Sequence, residues 1–144
     1  MKNLCRLALL IALVLLPAVA IDQEDAVADT IAAAFLQARQ AAHLPKLQRI
    51  DRNPFREQVC NRDMRFTSGL IRDVVYQTSH PEALPESAQR LARTPDSGKT
   101  AVRFGIGVCM MFVTDSPPGS AQKYAILIAL YESRWTSFWR NFWG

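Results

Sequence analysis

The sequence predicts an α+β fold, an α-β-α sandwich in which N-terminal helices pack on a small antiparallel sheet formed mainly by a C-terminal hairpin. Three observations carry this prediction. Apolar residues recur at helical spacing over residues 24–42, Asn53-Pro54 opens a second helix, and two apolar runs of strand character fill the final third.

In the first helix Val27, Ile31, Phe35 and Ala38 repeat at spacings of four and three, and alanine fills most of the other sites. Asp25 and Asp29 sit early and Arg39 late, which complements the helix dipole, and Pro45 stops the helix. Residues 43–52 read as a connector. In the second helix Asn53 is a strong N-cap, and Pro54 takes the first helical position, where its missing donor is not needed. Phe55, Val59, Cys60 and Met64 form its apolar stripe, and the charges from Arg52 to Arg65 read as a solvated face.

Residues 70–78 are ambiguous, because Val74, Tyr76 and Thr78 alternate as in a strand but the run is short. Pro85-Glu86 begins a short helix to about Arg93, with Leu84, Ala88 and Leu91 on one side. Residues 94–98 are a turn or loop by composition. Val102, Phe104, Ile106 and Val108 then alternate with Arg103, Gly105 and Gly107, giving one apolar and one slim face. The slim face leaves room for a closely packed helix. Beyond Ser116-Pro117-Pro118-Gly119, the run Tyr124–Tyr131 is almost wholly apolar, as a central strand covered on both faces would be. The two runs should pair antiparallel.

The N-terminus predicts export. Lys2 and Arg6 precede the uninterrupted apolar run Leu7–Leu16, and Ala18-Val19-Ala20 supplies a small-x-small cleavage site. Ten apolar residues are too few to cross a hydrocarbon core of roughly 30 Å as a helix, and acidic Asp22, Glu24 and Asp25 follow. Residues 1–20 are therefore expected to leave as a signal peptide, with residues 21–144 as one secreted or periplasmic domain. After cleavage, 15 basic and 13 acidic side chains remain, too even a balance for a nucleic-acid partner.

Cys60 and Cys109 survive processing. In an oxidising compartment an even count reads as one disulfide, which closing a 49-residue loop would make worth about 4 kcal/mol. Two buried free thiols are the alternative, since cysteine is among the most buried residue types.

The chemistry-bearing residues are sparse. Only His43 and His80 are present as histidines, and no His-x-x-x-His or Cys-x-x-Cys spacing suggests a metal centre. No Gly-x-Ser-x-Gly elbow or phosphate-loop glycine pattern occurs, and no cofactor is expected. The leading enzymatic alternative is a secreted hydrolase using His80 with Glu82 or Glu86; a ribonuclease using His43 and His80 as acid and base has no further support. The most unusual feature is the end of the chain, residues 134–144. Trp135, Phe138, Trp139, Phe142 and Trp143 fall on one face of a helix, flanked by Arg134 and Arg140. The stripe reads either as a docking face for a membrane surface or an envelope protein, or as cover for the domain's own core.

The stretch from Arg39 to Leu47 reads Arg-Gln-Ala-Ala-His-Leu-Pro-Lys-Leu. It resembles the signature that follows the first helix in CAP-superfamily domains, the cysteine-rich secretory, antigen 5 and pathogenesis-related proteins. That helix typically ends Asn-x-x-Arg, with Gly-Leu-x-x-Leu four residues on. Here Leu36 stands for the asparagine and His43 for the glycine, while Arg39, Leu44 and Leu47 match. The run from Phe104 to Cys109 is similar to the family's glycine-punctuated late strand, and Tyr124–Ile128 resembles its hairpin partner. The matches cover about residues 33–66 and 104–131. The resemblance implies the sandwich, but the family's cleft tetrad of two histidines and two glutamates has no counterpart: His43 takes a loop-glycine position, and His80 lies in an unmatched segment. The expected function is thus that of a small exported, non-enzymatic binding or interaction domain.

Overall fold

The computed structural model describes residues 23–50, 53–63, 69–95, 100–111, 117 and 120–133. Among them three helices and four strands alternate: α1 (residues 23–41), β1 (Gln48–Arg49), α2 (Asn53–Asn61), β2 (Leu70–Thr78), α3 (Glu86–Arg93), β3 (Arg103–Met111) and β4 (Lys123–Tyr131). The sheet order is β1-β3-β4-β2. β4 lies in the middle, antiparallel to both nine-residue neighbours, with Ile128 opposite Ile106 on one side and Val74 on the other. β1 adds to β3 in parallel through only two residue pairs, so the sheet is mixed.

The architecture is the α-β-α sandwich that the sequence predicts, with two refinements. The connector after α1 contributes β1, and residues 70–78 form a strand as long as those of the hairpin. The sheet therefore owes as much to β2 as to β3.

Alternation assigns the faces. Phe104, Ile106, Val108, Ile126, Ile128 and Leu130 meet Val27, Ile31 and Phe35 of α1 and Ala88 and Leu91 of α3 in the larger core. Phe35 and Phe104 are fully buried and stack with ring centroids 5.8 Å apart, so truncating either to alanine should cost about 3–5 kcal/mol. The opposite face of β4, with Leu127, Ala129 and Tyr131, packs under Phe55 and Val59 of α2.

α2 lies close to the sheet because β3 is slim there. A Cβ at Gly105 would enter the Phe55 ring, and one at Gly107 would enter the Phe55 carbonyl. The α-carbons of Cys60 and Cys109 stand 5.2 Å apart, and a disulfide joins α2 to β3. The sequence alone allows either a bridge or free thiols; the geometry selects the bridge.

α1 ends in a Schellman motif, in which Leu44 N–H donates to the Arg39 carbonyl and His43 N–H to that of Gln40. His43, at the C′ position, has φ 56°, the left-handed region where glycine is free of strain. The buried Arg39 donates through Nε to the Pro45 carbonyl at 2.9 Å, which fixes the connector as it turns toward β1.

Candidate functional site

The sequence-predicted binding residues Trp135, Phe138, Trp139, Phe142 and Trp143, like the signal segment 1–20, lie outside the described residues. Among the described residues no helix is long and apolar enough to cross a membrane.

His80 and Glu82 come together in a loop, with Nδ1 3.3 Å from the carboxylate, but they are 75% and 65% exposed. The third residue of that constellation, Glu86, pairs instead with Arg90 one turn along α3. Exposed groups of this kind interact weakly, and the neighbouring Thr78 hydroxyl is engaged as acceptor of the His80 backbone N–H. This loop offers no enclosed chemistry.

Two other places on the molecule do. The first surrounds β2, the outer strand of the sheet. Its free edge is nine residues long and pairs with no strand among the described residues. Charges and a register irregularity are confined to its beginning, at Arg72 and Asp73 and between Leu70 and Arg72. Val74–Thr78 carries no charge, and Val75 is the one large hydrophobic side chain of the described residues that stands exposed, at 50%. A groove of about 570 Å³ runs between this strand and α3, with Ile71, Val74 and Leu91 as its apolar part and Ser87, Arg90 and Thr94 beside them. On the other face a groove of about 670 Å³ separates β2 from α2, lined by Val59, Val75, Met111 and the two disulfide cysteines. Small Ala125 of β4 forms part of that lining, which is why α2 and β2 leave a trough between them.

The second place is the edge of β3 beyond β1, which pairs with no further strand among the described residues. Glu24, at the start of α1, is only 4% exposed. Its Oε1 accepts the Met110 N–H at 2.8 Å, occupying a donor on the strand edge, and its Oε2 accepts Arg56 Nε from α2. One carboxylate oxygen of Glu24 and the sulfurs of Cys60 and Cys109 all lie within 4.8 Å of one another. Composition and motif spacing do not reveal this cluster. The available signal is phase: Glu24 falls three, four, seven and eleven residues before Val27, Ala28, Ile31 and Phe35, on the buried stripe itself.

Comparison of the chain with protein-family models, with curated proteins and with solved structures yields no match.

Proposed function

We propose that the chain is an exported, non-enzymatic binding domain that captures an extended polypeptide as an added strand along the free edge of β2. The observation that carries this reading is the uncharged stretch Val74–Thr78, which lines the groove toward α2 through Val75, Tyr76 and Gln77 and meets the groove toward α3 at Val74. The chemistry of the partner follows from the edge. Main-chain N–H and C=O groups in a row are satisfied by another strand, and alternate side chains of that strand find the two faces. Apolar residues of the partner suit Ile71, Val74 and Leu91 on one side and Val59, Val75 and Met111 on the other. Long uncharged edges are a pairing liability that proteins usually blunt, and here only the first half of β2 is blunted.

Kinship with the CAP superfamily belongs to the same proposal. The sandwich supports it, as does the left-handed backbone at His43, where that family carries glycine. The family's cleft tetrad has no counterpart in the sequence, which favours binding over hydrolysis. The aromatic residues Trp135 to Trp143 are a second proposed contact, with a membrane surface or an envelope protein. Deleting 135–144 should then abolish that association without unfolding the domain.

The strand-addition reading is tested by selecting displayed random peptides on the wild-type chain and measuring the selected peptides against Val75→Lys. A charge on an exposed edge position leaves the core alone, so binding should fall at least tenfold while the fold persists. Hydrogen exchange of the β2 amides should slow when a selected peptide is bound. Peptides that bind Val75→Lys equally, or leave β2 exchange unchanged, would remove the reading.

A further inference from the structure

We infer that opening the Cys60–Cys109 disulfide creates a site for a thiophilic d¹⁰ cation of the zinc class, held by both cysteine sulfurs and the Glu24 carboxylate. Three ligand atoms from three separate elements already converge: Glu24 from α1, Cys60 from α2 and Cys109 from β3, all within 4.8 Å of one another. Zn–S bonds of about 2.3 Å in tetrahedral geometry place two thiolates roughly 3.8 Å apart, and a carboxylate oxygen binds at about 2.0–2.2 Å. Cysteine α-carbons 5.2 Å apart reach that separation by side-chain rotation alone. The α-carbons also have supports besides the disulfide, since Phe55 seats α2 over Gly105 and Gly107.

Charge is balanced as well. Two thiolates and one carboxylate carry −3, a divalent cation supplies +2, and the Arg56 guanidinium on Glu24 Oε2 supplies the last positive charge. Arg56 and the Met110 N–H orient the carboxylate as outer partners orient a metal ligand. Two sulfurs select zinc-like cations over calcium and magnesium, which take oxygen ligands. Both cysteines line the groove between α2 and β2, so reductant and cation reach them from that side.

The step needs a reductant, a dithiol or a phosphine. A dithiol passes two electrons and two protons to the S–S bond and closes to its own disulfide, leaving two cysteine thiols; a phosphine gives the two electrons, takes oxygen from water to become its oxide, and the two water hydrogens complete the thiols. The cation then displaces both thiol protons into solvent as it binds.

The experiment uses the full chain reduced with a water-soluble phosphine and titrated with Co²⁺ as the spectroscopic probe, circular dichroism being recorded in parallel. One equivalent of cobalt should produce a near-ultraviolet thiolate charge-transfer band, which Zn²⁺ abolishes by displacement. The oxidised chain should show no such band, Cys60→Ser should lose at least half of it, and Glu24→Gln should bind cobalt at least tenfold more weakly. Glu24→Asp should recover part of that loss, separating ligation from a merely structural role. A reduced chain that keeps its circular dichroism but binds cobalt no better than Cys60→Ser overturns the proposal. So does undiminished affinity in Glu24→Gln, and so does a reduced chain that has lost its fold, because the site must stand ready before the cation arrives.

Discussion

Arg56, on the helix that covers one face of the sheet, donates through Nε to the buried carboxylate of Glu24, on the helix that covers the other. The two meet around the edge of β3 beyond β1, where the Met110 N–H completes the cluster. One carboxylate thus ties both helical layers to the same strand.

Glu24→Ala should therefore destabilise the domain by about 2 kcal/mol. Breaking a buried pair typically costs about 3–5 kcal/mol, but Arg56 is 38% exposed and regains water when released. Glu24→Gln, which keeps an acceptor for Met110, should lose less. Urea denaturation of the three proteins measures the order, and equal stability of wild type and Glu24→Ala would show that the cluster contributes nothing.

The two glycines of β3 should respond differently to alanine. At Gly105 the new methyl meets the Phe55 ring, a side chain that can be shortened; at Gly107 it meets the Phe55 carbonyl, which cannot. Each single variant should lose about 2–3 kcal/mol by overpacking. Adding Phe55→Leu should recover part of the loss in Gly105→Ala and none in Gly107→Ala. A double-mutant cycle by denaturant unfolding reads the coupling.

Much of this fold was legible in the residues because burial imposes a period. Val27, Ile31 and Phe35 mark α1, and the apolar run of β4 marks a strand with both faces covered. The slim face at Gly105 and Gly107 anticipated a close helix, and α2 is that helix. β2 was obscured because Arg72 and Asp73 interrupt its pattern and its outer edge pairs with no strand among the described residues, so fewer positions had to be apolar. β1 is two residues long, and no period can show in two residues. The site was less legible than the fold. Ion pairing and sulfur–carboxylate proximity depend on contacts between α1, α2 and β3, which sequence spacing does not encode. In the sequence Glu24 is one of the acidic residues that follow the N-terminal apolar run, and only its phase with Phe35 hints at burial.

His43→Gly should stabilise the domain by about 0.5–1 kcal/mol. A non-glycine residue in the left-handed region costs about 1–2 kcal/mol, part of which glycine gives back through the greater freedom of the unfolded chain. His43 is exposed, so little side-chain packing is lost. Thermal unfolding should give a higher Tm for the variant, and His43→Ala, which keeps the strain, should show no gain.

Tyr76 supplies the pH dependence. It packs against the larger core, and burial holds its phenol well above the usual tyrosine range. The neutral form is therefore favoured in the folded state, while the unfolded chain ionises with a pKa of about 10. Below that value both states keep the proton, and the contribution of Tyr76 to stability is constant. Above it the unfolded state releases a proton that the folded state retains, so stability falls as pH rises, by up to about 1.4 kcal/mol per pH unit. Tyr76→Phe keeps the ring and removes the titrating group. The difference in unfolding free energy between wild type and Tyr76→Phe should be flat from pH 7 to 9 and should move against the wild type from pH 10 upward. A difference that stays flat to pH 11 would place the phenol in contact with water.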